Sequence, residues 1–315
     1  MDYKLLGQTG VRVSEYCLGT MTFGNEADEK TSFAIMDKAA ELGINFFDTA
    51  NIYNKGQAEV ITGRWLKPRR DSIVLASKVH GPTGEGPNER GSSRRNILLS
   101  VEQSLKRLQT DWLDILYLHY WDEETDLEQT LSAVTSLVEQ GKVMYLGISN
   151  FSAWQTMKAL AMAQTSGYAP PMCIQPMYNL VKRQAEVELF PLAQSENLAV
   201  FPYNPLAAGL LTGKYHQNES GRLDENKMYK VRYENSRYWE TTEMFVKHAQ
   251  EKGCSPASLA MAWVASHPAV TAPIIGARNL EQMNDTLKSL QIKLTDDERA
   301  EISALSLEPP LATDR

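Results

Sequence analysis

The chain has 315 residues, 43% of them hydrophobic and 23% charged, a mixture that supports a large core and excludes disorder, collagen and coiled coil. Its 32 basic and 39 acidic residues give a net charge of −7 and a pI near 5.4, which argues against nucleic-acid binding through a general basic field. The three cysteines, Cys17, Cys173 and Cys254, are widely spaced and form no CxxC pair, so neither a disulfide framework nor a zinc knuckle is expected.

The residues from Met1 to Gly10 lack the apolar region of a secretory signal, and no stretch approaches the roughly 18 apolar residues of a membrane span. The expectation is a cytoplasmic chain. Lys4 to Ser14 reads as two short strands around Gly7 to Gly10, a hairpin ahead of the main fold. Short, nearly continuous apolar runs follow at Tyr16–Leu18, Ile44–Phe47, Ile73–Ala76, Leu113–Leu118, Val143–Ile148, Cys173–Pro176, Ala199–Tyr203 and Ala272–Ile275. Such runs suit strands covered on both faces. Between them lie helical patterns with start signals at Asp28, at Ser152 with Gln155, and at Ser255 followed by Pro256. Gly43 and Gly141 stand where two helices should stop.

Polar residues close the strands at Asp48, Lys78, His119, Ser149, Gln175 and Tyr203, at intervals of 30, 41, 30, 26 and 28 residues. One strand–helix unit takes about 30 residues. The longer gap from Tyr203 to Gly276 calls for one helix plus an insertion, placed at His216 to Trp239 and read as a lid over a bound ligand. Eight such units with no linker predict a single (β/α)8 barrel spanning residues 1–315, with the N-terminal hairpin and extra helices and loops. A doubly wound sheet is disfavoured because the first strand runs into Leu18-Gly19-Thr20-Met21-Thr22-Phe23-Gly24 rather than GxGxxG.

In a barrel the strand ends converge on one mouth. Only His119 and His80 stand near such ends, too few for a metal site, and Asp48 has no carboxylate partner for glycoside hydrolysis. Tyr53 with Lys78, Asp48 and His119 instead suits carbonyl reduction. A phenol needs a neighbouring cation to become acidic, Lys78 offers one, Asp48 holds Lys78, and His119 orients the carbonyl. Hydride must then come from a cofactor. Taken singly, each of these residues has a plain structural reading: a turn cap, a half-buried aromatic, a paired lysine, a packed histidine. Lys78 as a Schiff base in an isomerase or lyase is a further alternative, one that leaves Tyr53 without a role.

The motifs Leu18 to Gly24, Gly43 to Ala50 with Tyr53, Ala76-Ser77-Lys78, Asp114 to His119, Leu146 to Phe151, Pro205 to Tyr215 and Pro273 to Arg278 occur in order along nearly the whole chain. In these the sequence resembles the aldo-keto reductases. The resemblance implies a tetrad of Asp48, Tyr53, Lys78 and His119 and an extended NADP(H) across the mouth. It places Ser149, Asn150 and Gln175 on the carboxamide, Tyr203 against the nicotinamide, and Gly19, Thr20 and Met21 beside the ribose. Asn204, Pro205, Leu206, Ala207, Gly209, Leu211, Gly213 and Lys214 would surround the pyrophosphate. Gly276, Ala277, Arg278, Gln282, Asp285 and Thr286 would hold the adenosine, with Arg278 on a 2′-phosphate. Thr286 departs from the Asn that many relatives carry. Phe23 and Trp121, just past strand ends, are expected in the substrate pocket. The chain also resembles potassium-channel β subunits, including the stretch Glu89 to Arg94, so a cofactor-bearing binding or redox-sensing subunit is the rival reading. A small-molecule carbonyl substrate is expected as partner, and the sequence leaves both monomer and homo-oligomer open.

Overall fold

The computed structural model describes residues 1–217 and 219–313. Strands β1 (Tyr3–Leu5) and β2 (Arg12–Ser14) pair antiparallel as the expected hairpin, with Lys4 opposite Val13. Eight parallel strands follow in chain order. They are β3 (Cys17–Gly19), β4 (Phe46–Asp48), β5 (Val74–Val79), β6 (Leu113–Leu118), β7 (Val143–Ser149), β8 (Pro171–Gln175), β9 (Ala199–Val200) and β10 (Ile274–Ile275). From β3 to β9 each strand pairs with the next in sequence, and β10 pairs back with β3. The remaining seam is closed by backbone bonds from Thr271 N and Ala272 N to Val200 O and from Ile274 N to Pro202 O. The chain is a (β/α)8 barrel.

Alternation along the strands sorts two cores. Cys17, Phe46, Ile115, Tyr117, Cys173 and Phe201 fill the cylinder, joined from the hairpin by Leu6 and Val13. Leu18, Phe47, Leu75, Leu116 and Ile148 face outward against the helices. The Tyr117 ring crosses so close to β7 that a Cβ at residue 147 would sit 2.5 Å from it, which is why glycine stands there.

The helices are α1 (Glu29–Glu41), α2 (Gln57–Leu66), α3 (Arg94–Leu108), α4 (Leu127–Glu139), α5 (Ala153–Ser166) and α6 (Leu189–Ser195). After β9 come α7 (Arg222–Glu225), α8 (Lys227–Arg232), α9 (Ser236–Glu251) and α10 (Pro256–Ala265), then α11 (Leu280–Leu287) and α12 (Asp296–Ser303). The expected start signals are realised. Asp28 caps α1, Ser152 and Gln155 form a capping box on α5, and Ser255 caps α10 with Pro256 in its first turn. Gly43 and Gly141 take positive φ, at 84° and 69°, just past α1 and α4. The gap after Tyr203 holds more order than expected: the insertion carries two short helices, and both α9 and α10 precede β10. Among the described residues, no helix is long and apolar enough to cross a membrane.

Candidate active site

Because all eight strands run the same way, their carboxyl ends meet at one rim. There β4 delivers Asp48, β5 Lys78, β7 Ser149 and β8 Gln175, while His119 and Tyr203 lie just past β6 and β9. Tyr53 arrives on a tight 3₁₀ turn, Tyr53–Gly56, in which Asn54 and Lys55 adopt left-handed φ of 49° and 55°. This unusual turn is pinned by Asn54, whose Nδ2 donates to Met21 O at 2.9 Å and to Phe23 O at 2.7 Å.

Lys78 is the centre of the cluster. Its side chain is 0% exposed and that of Asp48 3% exposed, so the pair is removed from solvent. The ammonium donates to Asp48 Oδ1, to Thr49 O at 2.7 Å and to Tyr53 Oη at 3.3 Å, which uses all three of its donors. Asp48 Oδ2 accepts from Gln175 Nε2 at 2.9 Å. The Tyr53 and His119 rings meet edge to face, 6.3 Å between centroids.

Burial first, and then the Asp48 charge, holds the Tyr53 phenol well above its ordinary pKa. This corrects the expectation that Lys78 makes the resting phenol acidic. The ammonium is shared with the carboxylate on its other side, and the phenol is too deeply buried to ionise readily. Burial, then Lys78, pushes the His119 imidazole well below its usual value, so it is neutral. His119 Nδ1 is buried and has no partner among the described residues.

A groove of about 740 Å³ runs from these residues across the mouth. Gly19, Met21, Asp48, Tyr53, His119, Ser149, Asn150, Gln175 and Tyr203 line its deep half. Asn204, Pro205, Leu206, Gly209, Lys214, Gly276, Ala277, Arg278, Gln282, Asp285 and Thr286 line the rest. Asn150 knits the floor, donating to His119 O at 2.9 Å and to Ser149 Oγ at 3.1 Å while accepting from Tyr203 Oη at 2.8 Å.

Several expectations are corrected. Thr20 is fully buried and does not line the groove, its N–H on Asp48 O. Ala207 and Leu211 point into the core. The backbone N–H groups of Ala207, Gly209, Leu211 and Gly213 are spent on carbonyls of their own segment, so this stretch offers less of an anion nest than its glycines suggested. Phe23 is fully buried in the helix-facing core. Trp121 turns outward to pack on Phe151 and Trp154. Tyr120, one residue earlier, lines the groove instead and stacks on His119 at 4.7 Å.

Other lining residues went unnoticed in the sequence: Ile52, Asn54 and, from the insertion, Arg222, Met228, Tyr229 and Arg232. Adjacency to His119 and Tyr53 was a usable signal for Tyr120, Ile52 and Asn54. The insertion as a whole was expected over a ligand, but nothing in the sequence singled out these four residues within it.

The aldo/keto reductase family model matches residues 15–307. The chain belongs to the aldo/keto reductase family. This reductase is 42% identical over 305 residues to an uncharacterized oxidoreductase, YrpG, of Bacillus subtilis, covering 93% of this chain and 92% of that protein. It is 34% identical over 313 residues to a norsolorinic acid reductase of Aspergillus flavus, covering 95% and 79%. It is also 35% identical over 305 residues to a probable voltage-gated potassium channel subunit beta of Oryza sativa, covering 93% and 92%. As an aldo/keto reductase it is an NAD(P)-dependent oxidoreductase acting on carbonyl compounds.

Proposed function

We propose that this chain, acting as a single barrel domain in the cytoplasm, reduces an aldehyde or ketone to an alcohol with NADPH, Tyr53 supplying the proton. The observation that carries the reading is the hydrogen bond between Lys78 Nζ and Tyr53 Oη at 3.3 Å. An ammonium has no lone pair, so the phenol oxygen accepts and its own O–H is left to donate toward the cavity. Burial keeps that proton on the phenol at rest. As negative charge develops on the carbonyl oxygen, Tyr53 donates and Lys78 stays hydrogen-bonded to the resulting phenolate. Neutral His119 has one nitrogen, Nδ1, buried without a partner among the described residues. An orphaned N–H costs more than an orphaned lone pair, which favours the tautomer with the proton on Nε2, available to the same carbonyl oxygen.

A bound nicotinamide supplies the hydride. The residues present fit that group: a long groove has apolar and amide-bearing walls at the catalytic end, and Lys214, Arg222 and Arg278 line it farther on. Gly276 has open space where a side chain would stand. Arg278, with its forked donors, is the residue we assign to a 2′-phosphate, which favours NADPH over NADH. Gln282 and Thr286 are assigned to the adenosine beside it. Ile52, Tyr120, Met228 and Tyr229 make the outer rim apolar and aromatic. That suits a carbonyl compound with an apolar or aromatic body.

The similarity to plant potassium-channel β subunits supports a second reading, a cofactor-bearing subunit with little turnover. The experiment is Tyr53→Phe, assayed with NADPH and a carbonyl panel. Turnover should fall about 10²- to 10⁴-fold, the usual worth of general acid catalysis, while NADPH binding persists. Full turnover in Tyr53→Phe would overturn the mechanism. Negligible wild-type turnover across the panel would favour the subunit.

A further inference from the structure

At the far end of the groove, Arg278 Nη2 lies 2.8 Å from Glu26 Oε1 and 3.2 Å from Glu225 Oε2. Arg222 Nη2 lies 3.1 Å from Glu26 Oε2. These residues come from three places: Glu26 from the β3–α1 loop, Arg222 and Glu225 from α7 of the insertion, and Arg278 from the segment after β10. Resting on the assignment of NADPH above, we propose that Glu225 is a specificity-determining residue. It occupies Arg278 as an internal stand-in for phosphate and yields that place to a phosphate monoester on the adenosine ribose, but not to a hydroxyl.

Charge balance drives the exchange. Two guanidiniums and two carboxylates make a neutral set. A phosphate monoester brings about −1.5 to −2 at neutral pH, so keeping both carboxylates would leave the cluster strongly negative. One carboxylate must give way, and the two are held unequally. Glu26 touches both arginines and its side chain is 23% exposed, whereas Glu225 touches one and is 55% exposed. Both carboxylates also contend for a single nitrogen of Arg278, while a phosphate can engage the guanidinium through two parallel bonds. Glu225 sits on a helix of only four residues, so its departure disturbs little packing. A ribose hydroxyl brings no charge and leaves the Glu225–Arg278 contact intact.

The test is Glu225→Gln, a near-isosteric change at an exposed position, with calorimetric titration of adenosine 2′,5′-bisphosphate, AMP, NADP⁺ and NAD⁺. The bisphosphate and NADP⁺ should bind about two- to fivefold tighter, the worth of one exposed ion pair, while AMP and NAD⁺ hold their affinity. In an Arg278→Ala background the same substitution should change nothing. Equal tightening of all four ligands, or no change in any, overturns the proposal. Wild-type protein that binds the bisphosphate and AMP alike, and is indifferent to Arg278→Ala, would instead remove the NADPH assignment and this inference with it.

Discussion

Replacing Lys78 by Met removes the one cation of a pair whose side chains are 0% and 3% exposed. Asp48 would keep only the Gln175 amide at 2.9 Å, an uncompensated charge inside the barrel. Breaking a buried pair from one side costs about 3–5 kcal/mol. For 315 residues the unfolding entropy is roughly 0.66 kcal/mol per degree, so the midpoint should drop by about 5–8 °C. The double variant Asp48→Asn/Lys78→Met removes both charges, and most of that loss should return. Turnover should not return, because Tyr53 still lacks the donor that stabilises its phenolate. Thermal unfolding by circular dichroism without cofactor, beside the loss of reduced-cofactor absorbance with a carbonyl substrate, measures both. A single variant as stable as wild type, a double variant no better than the single, or a double variant with restored turnover would each refute the reasoning.

Two further outcomes are expected. Asn54→Ala frees the left-handed Tyr53 turn from Met21 O and Phe23 O. It should lower kcat about tenfold with KM nearly unchanged, as a small misplacement of the phenol implies, and steady-state kinetics would show a KM effect if Asn54 acted on substrate instead. The second outcome concerns acid stability. Burial, then Lys78, depresses His119 well below its usual value, and burial, then Arg299, depresses His267 to about 4. The unfolded chain then binds more protons than the folded one below about pH 6.5, so stability present above that value is lost as pH falls toward 4. Each histidine steepens the loss of stability with falling pH across that window. Urea unfolding at several pH values should show His267→Gln with a shallower slope than wild type, and an unchanged slope would exclude His267 as a contributor.

All eight barrel strands were legible because strands buried on both faces read as unbroken apolar runs. Their limits shifted by a few residues, since pairing rather than composition ends a strand; β3 begins at Cys17 and not at Tyr16. Asp48, Lys78, His119, Ser149 and Gln175 could be gathered in advance because parallel strands all end on one side. What the strands could not convey was the direction of side chains on loops. Phe23 and Trp121 stand just past strand ends as Tyr53 and Tyr120 nearly do, yet the turn after β3 buries Phe23 and the path after His119 points Trp121 at Trp154. The insertion residues Arg222, Met228 and Tyr229 belong to no repeating pattern, so only the folded chain shows which residues of the expected lid reach the groove. The state of the Tyr53 phenol was hidden for a similar reason, since the depth of its burial, the largest influence on it, is a matter of three-dimensional order.

Leu6 and Val13 enter the interior core beneath Phe46 and Phe201, and Lys4 Nζ ties the β1 strand to Val270 O at 2.9 Å. The cylinder is thereby corked at its amino-terminal end. The groove beside Lys78 therefore opens at the opposite, carboxyl-terminal rim, and the hairpin end is left to serve stability alone.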